Sequence, residues 1–88
     1  MKILVVEPMK TPTVQEIDGS LRSMQELVGG TIQAVYPFDD PVALIANDEG
    51  KLLGLPWNRA LTDDHGVPYD IVCGHFLLPV LKRMILHR

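Results

Sequence analysis

The pattern of apolar and polar residues in the first third of the chain predicts two strands and a helix. The nearly continuous apolar run of residues 2–6 predicts a buried strand, and Thr13–Ile17 predicts a second, more exposed one. A helix is then expected to begin after Ser20 as N-cap and to end at Gly29, a left-handed C′ residue. Because nine residues are too few for a helix to be stable alone, this one must lie against the sheet. Its predicted apolar face is Leu21, Met24, Leu27 and Val28.

The middle of the chain predicts a run of short strands. Thr31–Tyr36 is the next predicted strand, and Val42–Ala46, apolar on both faces, is placed centrally. Asn47–Gly50 predicts a hairpin turn whose glycine suits a positive φ, after which Lys51–Leu55 returns antiparallel. Tyr69–Cys73 is expected to be the last strand.

The C-terminal segment, Phe76–Leu86, has apolar residues at helical spacing. Pro79 fits the first turn of such a helix, and Lys82 and Arg83 are the charges within it. So wide an apolar surface would leave a patch of several hundred Å² if one side stayed in water. We therefore expect it to pack against the domain and a second subunit together, with a homodimer favoured. The predicted interface residues are Leu77, Leu78, Leu81, Met84 and Ile85.

These elements together predict an α+β fold. Its parts are a mostly antiparallel sheet of about five strands, one packed helix and a short C-terminal helix. Residues 1–76 form the single α+β domain in this interpretation, and residues 77–88 form the self-association element.

Composition and charge exclude several classes of protein. Of the 88 residues 47% are hydrophobic, which suffices for one core, and the single cysteine, Cys73, excludes an internal disulfide and fits the cytoplasm. The first apolar run is too short for a signal peptide, and none is long enough to cross a membrane. Residues 1–70 carry a net charge of −6 and residues 71–88 carry +3, which argues against nucleic-acid binding by the whole domain.

The residues capable of catalysis or metal binding form no recognisable constellation. His65, Cys73 and His75 lack the further ligands that a zinc site requires. The acidic pairs at residues 39–40, 48–49 and 63–64 stand beside Gly or Pro and are expected to form solvated turns rather than to catalyse. No nucleophile stands beside a credible base. The sequence therefore predicts a protein that is not an enzyme and has no cofactor or metal.

Arg59 is the strongest candidate for binding. It lies in Pro56–Leu61, which is predicted to be an irregular corner or one helical turn. Two interpretations stay open. Arg59 forms a surface ion pair with an acid of residues 39–40, or its guanidinium binds a phosphate or carboxylate with two hydrogen bonds, aided by an amide and aromatic rings. The second interpretation requires the arginine and its neighbouring asparagine to face open solvent. The predicted ligand-binding residues are Arg59, Asn58, Trp57, Tyr36, Asp39 and Asp40.

Several short motifs resemble a small domain family of unknown function found in Firmicutes, their phages and their integrative or conjugative elements. Among them are Pro37–Pro41, the Asn47–Gly50 turn, and the Asn-Arg-Ala-Leu block of residues 58–61 that follows Leu53–Pro56. The resemblance covers roughly residues 1–76. It implies an accessory protein of mobile DNA and supplies no catalytic residues.

Three hypotheses of function follow. The first is a binding protein of phage or mobile-element origin that sequesters an anionic small molecule, such as a nucleotide signal, as a counter-defence. The second is a protein–protein interaction module that blocks or recruits a host protein by a sheet edge or by the C-terminal segment. The third, a hydrolase or nuclease fragment, is disfavoured because the acids, histidines and cysteine form no constellation.

Overall fold

The computed structural model describes residues 1–38 and 42–80. These residues form seven strands and one short helix, so the fold is mostly β. The predicted α+β class is wrong, because one eight-residue helix accompanies two separate sheets. The elements in chain order are β1 (Lys2–Val6), β2 (Thr13–Glu16), α1 (Leu21–Val28), β3 (Ile32–Val35), β4 (Leu44–Asn47), β5 (Trp57–Thr62), β6 (Pro68–Cys73) and β7 (Phe76–Pro79).

Five strands form the main sheet, in the order β2-β1-β7-β4-β3, and every pair is antiparallel. The register aligns Val6 with Phe76, and Phe76 with Ala46, at one end of the sheet. We call this the Asn47 end, after the last residue of β4. The chain reverses there at four places: after β1, between α1 and β3, after β4, and between β6 and β7.

Helix α1 covers one face of this sheet, and its predicted ends are confirmed. The Ser20 hydroxyl accepts a hydrogen bond from the Ser23 amide at 3.1 Å, and Gly29 has φ of 81°. Val28 packs among the fully buried side chains of β1 and β7, while Leu21 at the other end of the helix is exposed. This packing buries the core cluster Ile3, Val5, Val28 and Leu77.

A two-stranded sheet of β5 and β6 covers the opposite face. The predictions of a strand at Lys51–Leu55 and a corner at Pro56–Leu61 are wrong, since the first is a turn and β5 occupies the second. Gly50 is also not among the glycines with positive φ. It has a different role, because a Cβ there would lie 2.6 Å from the Cys73 carbonyl oxygen. The turn after β4 therefore packs tightly against β6.

The predicted C-terminal helix is wrong over its first four residues, which form β7. This strand lies in the middle of the main sheet, between β1 and β4. A strand that is buried on both faces has a continuous apolar sequence. Over a few residues, such a sequence also fits the spacing of the apolar face of a helix. Leu77 is completely buried in the core. The rest of the predicted helix, residues 81–86, lies outside the described residues.

Candidate functional site

Asn58 faces the interior of the protein and connects the two sheets. Its Nδ2 donates hydrogen bonds to the carbonyl oxygens of Val6 and Gly74, both at 2.8 Å. Val6 ends β1 of the main sheet, and Gly74 follows β6 of the hairpin. The expectation that this amide faces open solvent is therefore wrong, because both of its hydrogens have backbone acceptors within the protein.

Arg59 is exposed, and its guanidinium lies back along the preceding residue. Nη1 donates to the Asn58 carbonyl oxygen at 3.1 Å and to Asn58 Oδ1 at 3.0 Å. Among the described residues, no acid lies within ion-pair distance of this arginine. Asp39 and Asp40, its predicted partners, lie outside the described residues. Trp57 is 74% exposed at the start of β5.

Tyr36 does not lie beside the Trp57–Arg59 segment. Tyr36 follows Val35, which pairs with Leu44 at the end of the sheet opposite Asn47. Asn58 instead contacts the Val6 carbonyl oxygen of β1 at the Asn47 end. β1 and β3 are separated by two strands, hence by about 14 Å at the usual strand spacing of about 4.8 Å. The structure thus brings Trp57, Asn58 and Arg59 together and leaves Tyr36 apart.

The predicted interface residues fall into two groups. Leu77 lies in the core, and Leu78 is partly buried against the core cluster on the hairpin side. Neither lies on a helix. The remaining three, Leu81, Met84 and Ile85, lie outside the described residues.

A second asparagine, the buried Asn47, fixes the turn that follows β4. Its Nδ2 donates to the Val28 carbonyl oxygen at 3.1 Å, and its Oδ1 accepts from the Glu49 amide at 2.8 Å. A Cβ at Gly30 would lie 2.9 Å from that Nδ2, so only glycine leaves the amide enough room. Asn47 therefore joins the helix to the turn, as Asn58 joins the hairpin to the sheet.

The segment from Gly50 to Pro56, which leads into Trp57 of β5, is a hydrogen-bonded loop that exposes apolar side chains. Its backbone is held by hydrogen bonds from the Leu53 amide to the Glu49 carbonyl at 2.9 Å and from Leu55 to Gly50 at 3.0 Å. Leu52 is nevertheless 87% exposed. Met9, in the turn after β1, is 95% exposed and has a positive φ of 63°, which is uncommon outside glycine. We call the exposed set at this end the apolar rim: Met9, Leu52, Leu53 and Trp57.

Two depressions flank the loop. The first, the β3–β6 cleft, has a volume of about 360 Å³ and lies between the main sheet and the hairpin. Its lining includes Leu44 and Val72 as well as the charged residues Asp48 and Glu49. The second depression, of about 520 Å³, is lined by parts of the turn after β1, the helix end and Pro56. Trp57, Asn58 and Arg59 line neither depression.

An ion pair crosses the lining of the β3–β6 cleft. Lys51 Nζ donates a hydrogen bond to Asp70 Oδ1. This bond is the main cause that holds the pKa of the Asp70 carboxyl below its ordinary value, and a hydrogen bond from the Ile71 amide is the second. Asp48 and Glu49 have no ion-pair partner among the described residues. The uncompensated charge of the cleft is therefore negative.

The described residues contain no cluster of three or more His, Cys, Asp or Glu that could hold a metal. Cys73 is buried. His75 lies 3.7 Å from a Glu7 carboxylate oxygen, far from any nucleophile-like arrangement. Within residues 1–38 and 42–80, α1 falls well short of the length and apolarity that crossing a membrane demands.

Sequence reasoning missed the two asparagine contacts and the apolar rim. Asn58 and the carbonyl it binds in β1 are 52 residues apart, and no local pattern reveals such a pairing. The adjacent leucines at 52 and 53 suggested a strand, because an apolar pair in a predicted hairpin is usually buried. The glycine on each side of them, Gly50 and Gly54, was the available indication of a loop.

The geometry defines a small β-rich domain whose polar motif residues hold its layers together and whose loops at one end expose apolar side chains. The chain belongs to the DUF3846 family, a domain of unknown function, whose family model matches residues 1–81. No curated protein and no solved structure shows significant similarity to it.

Proposed function

We propose that this domain is a non-enzymatic protein-binding module that docks a partner protein on the apolar rim. The observation that carries the proposal is the exposure of four large apolar side chains at one end of the fold, three on hydrogen-bonded turns and Trp57 at the start of β5. Large apolar side chains grouped at one end of a fold are available to bind a partner, and tryptophan is enriched among the residues that dominate binding energy. Because the loop backbone is already ordered, docking on it costs little conformational entropy.

Two further features support a protein partner. The rim borders two depressions, so a partner's side chains have recesses to fill beside the protruding leucines. Met9 adopts a left-handed backbone conformation that costs about 1 kcal/mol, yet its side chain contacts little of its own protein. Strain of this kind concentrates at functional sites.

Capture of an anionic small molecule by the Trp57–Arg59 segment has less support. Both Asn58 amide hydrogens are engaged by backbone carbonyls, which leaves Arg59 as the donor for an anion. An exposed arginine without an enclosing cavity gives weak affinity, since useful ligand pockets bury most of the ligand. Calorimetry with cyclic and linear nucleotides tests this alternative directly.

The biological setting proposed here comes from the resemblance of the motifs alone. In that setting the domain is a cytoplasmic accessory protein of a phage or mobile element of Firmicutes, and it blocks or recruits a host protein as a counter-defence. The genes beside it bear directly on this part of the proposal, because defence or counter-defence genes there would support it.

The test compares capture of partners by matched variants. Immobilised protein is incubated with a host lysate, the enriched protein is purified, and its affinity for each variant is measured. We expect Leu52→Ser combined with Trp57→Ser to weaken binding by at least about 100-fold, the equivalent of two modest hot-spot residues. Val14→Ser on β2, an apolar position that is 59% exposed and lies outside the rim, is the control and should bind normally. Equal binding by the rim variant and the wild type would contradict the proposal.

A further inference from the structure

The β3–β6 cleft has an apolar floor and an acidic rim. Leu44 and Val72 are buried at its floor, and Leu61 is partly buried beside them. Asp48 and Glu49 are exposed at its edge, while Asp70 is already paired with a lysine. A volume of about 360 Å³ lies in the range of ligand pockets and admits one or two side chains.

This combination selects a basic, aliphatic peptide segment. Long basic side chains lay their hydrocarbon stems on apolar surface and keep their charged heads in water, here beside the carboxylates. A neighbouring aliphatic side chain would fill the floor. A nucleotide or other anion is disfavoured by the same two acids.

The chain itself contains a segment of this chemistry. Residues 81–88, which lie outside the described residues, have the sequence Leu-Lys-Arg-Met-Ile-Leu-His-Arg, with three basic residues and no acid. Residues 1–70 contain all 11 acids of the protein. The charge of this segment is therefore complementary to the cleft.

The exit of the chain from β7 favours a cleft on another copy. The Val80 amide donates to the Lys2 carbonyl oxygen at 3.2 Å, so the chain leaves the sheet at the end opposite Asn47, whereas Asp48 and Glu49 follow directly after Asn47. The cleft lies on the other side of β7 from β1, against β4 and β3. Eight residues span up to about 26 Å when extended, enough to reach a neighbouring molecule.

We propose that the β3–β6 cleft binds the basic C-terminal segment, residues 81–88, of a second copy of this chain. Two copies that exchange their segments in this way form a closed, two-fold symmetric dimer. The cleft shares Leu52 with the apolar rim, but this inference is tested separately, because it concerns self-association of the purified protein and not a host partner.

Charge reversal on each side of the contact tests it, with the full chain used throughout. Asp48→Lys with Glu49→Lys reverses the cleft, and Lys82→Glu with Arg83→Glu reverses the segment. We expect each pair to raise the dimer dissociation constant at least about tenfold in sedimentation experiments at low salt, and all four together to restore it to within about threefold. Glu26→Lys with Asp64→Lys makes the same change in net charge away from the cleft and should leave the constant unchanged.

Several results would overturn the proposal. The first is a wild-type protein that stays monomeric up to about 500 µM, a concentration at which even a dissociation constant near 1 mM would be detected. The second is a fourfold variant that does not recover dimerisation. The third is a control pair that weakens the dimer as much as the cleft pair does. Docking of the segment on the cleft of its own chain would give a monomer and would also contradict the proposal.

A second measurement locates the contact. An acetylated peptide of residues 80–88 is titrated into the full-length Lys82→Glu/Arg83→Glu variant while methyl resonances are followed. The proposal expects the largest shifts at Leu44, Leu61 and Val72, and none with a peptide whose three basic residues are replaced by glutamate. Shifts elsewhere, or equal shifts with both peptides, would place the segment outside the cleft.

Discussion

The two covers of the five-stranded sheet differ in how they are held. On one face, α1 inserts Val28 into an apolar cluster with Ile3 and Leu77, and the buried Asn47 amide also binds the carbonyl at the helix end. On the other face, the β5–β6 hairpin contributes Val72 and the half-buried Leu61, and the Asn58 amide anchors one end of it. Both covers therefore carry an asparagine anchor at the Asn47 end, but the helix side is also closed by packing, whereas the hairpin side leaves the β3–β6 cleft open.

This difference explains why Asn58, in the polar Asn58-Arg59 motif, stabilises the fold. Burying an amide is favourable only when its hydrogen bonds are satisfied, and Asn58 satisfies both of its donors on backbone carbonyls of two layers. This anchor adds to the packing of Val72 and the half-buried Leu61 on the sheet. The features available for binding are the less polar ones: the apolar rim and the cleft beside it.

Removing packing from the centre of the sheet should have the largest effect. Leu77 is completely buried and touches the helix-side core, so Leu77→Ala should lower the free energy of unfolding by about 2–5 kcal/mol. Urea denaturation followed by circular dichroism measures this loss. Leu52→Ala, at an 87% exposed position, is the control and should change stability by less than about 0.5 kcal/mol. A small loss for Leu77→Ala would mean that this residue is not in the core.

Two glycines allow the two covers to be loosened separately. Gly50→Ala places a Cβ against the Cys73 carbonyl oxygen on the hairpin side, and overpacking against backbone should cost up to about 3 kcal/mol. Gly29→Ala on the helix side meets no atom within 4 Å and suffers only from its positive φ, worth about 1–2 kcal/mol.

Thermal unfolding of both glycine variants gives the comparison. We expect the melting temperature to fall further for Gly50→Ala than for Gly29→Ala. The reverse order would mean that the turn after β4 does not pack against β6 as described.

The third prediction separates Asn58 from its neighbour. Asn58→Ala leaves the Val6 and Gly74 carbonyls without their donors and should destabilise the protein by about 1–3 kcal/mol. Arg59→Ala removes only an exposed guanidinium and should cost less than about 0.5 kcal/mol. Denaturant titrations of both variants test this, and an equal cost at the two positions would contradict the division of roles.

The smallest expected effect is the acid dependence contributed by the Lys51–Asp70 pair. The pKa of Asp70 is lowered in the folded protein, so its contribution is present above the unfolded value of about 3.9 and is lost as pH falls through the folded pKa. Because the pair is solvent-exposed, the contribution should be below about 1 kcal/mol. Asp70→Asn should therefore flatten the fall in stability below pH 4 slightly, as followed by thermal melts, and an unchanged slope would exclude this pair as a contributor.

The sequence was sufficient for elements with local determinants. Ser20 and Gly29 mark the helix ends because capping depends on adjacent residues. It was insufficient for β7, where Leu77, Leu78 and Pro79 suit a helix start as well as a central strand. It was also insufficient for β5, whose strand lacks clean alternation because the register shifts at Asn58. The direction of that side chain depends on a carbonyl far along the chain, and local patterns carry no such information.

Nuclear magnetic resonance shows whether the Asn58 amide holds the hairpin to the main sheet. We expect slow exchange of both Asn58 side-chain amide hydrogens with water, with scalar couplings across the hydrogen bonds to the carbonyl carbons of Val6 and Gly74. Fast exchange and no coupling to either carbonyl would place the amide in solvent and contradict it.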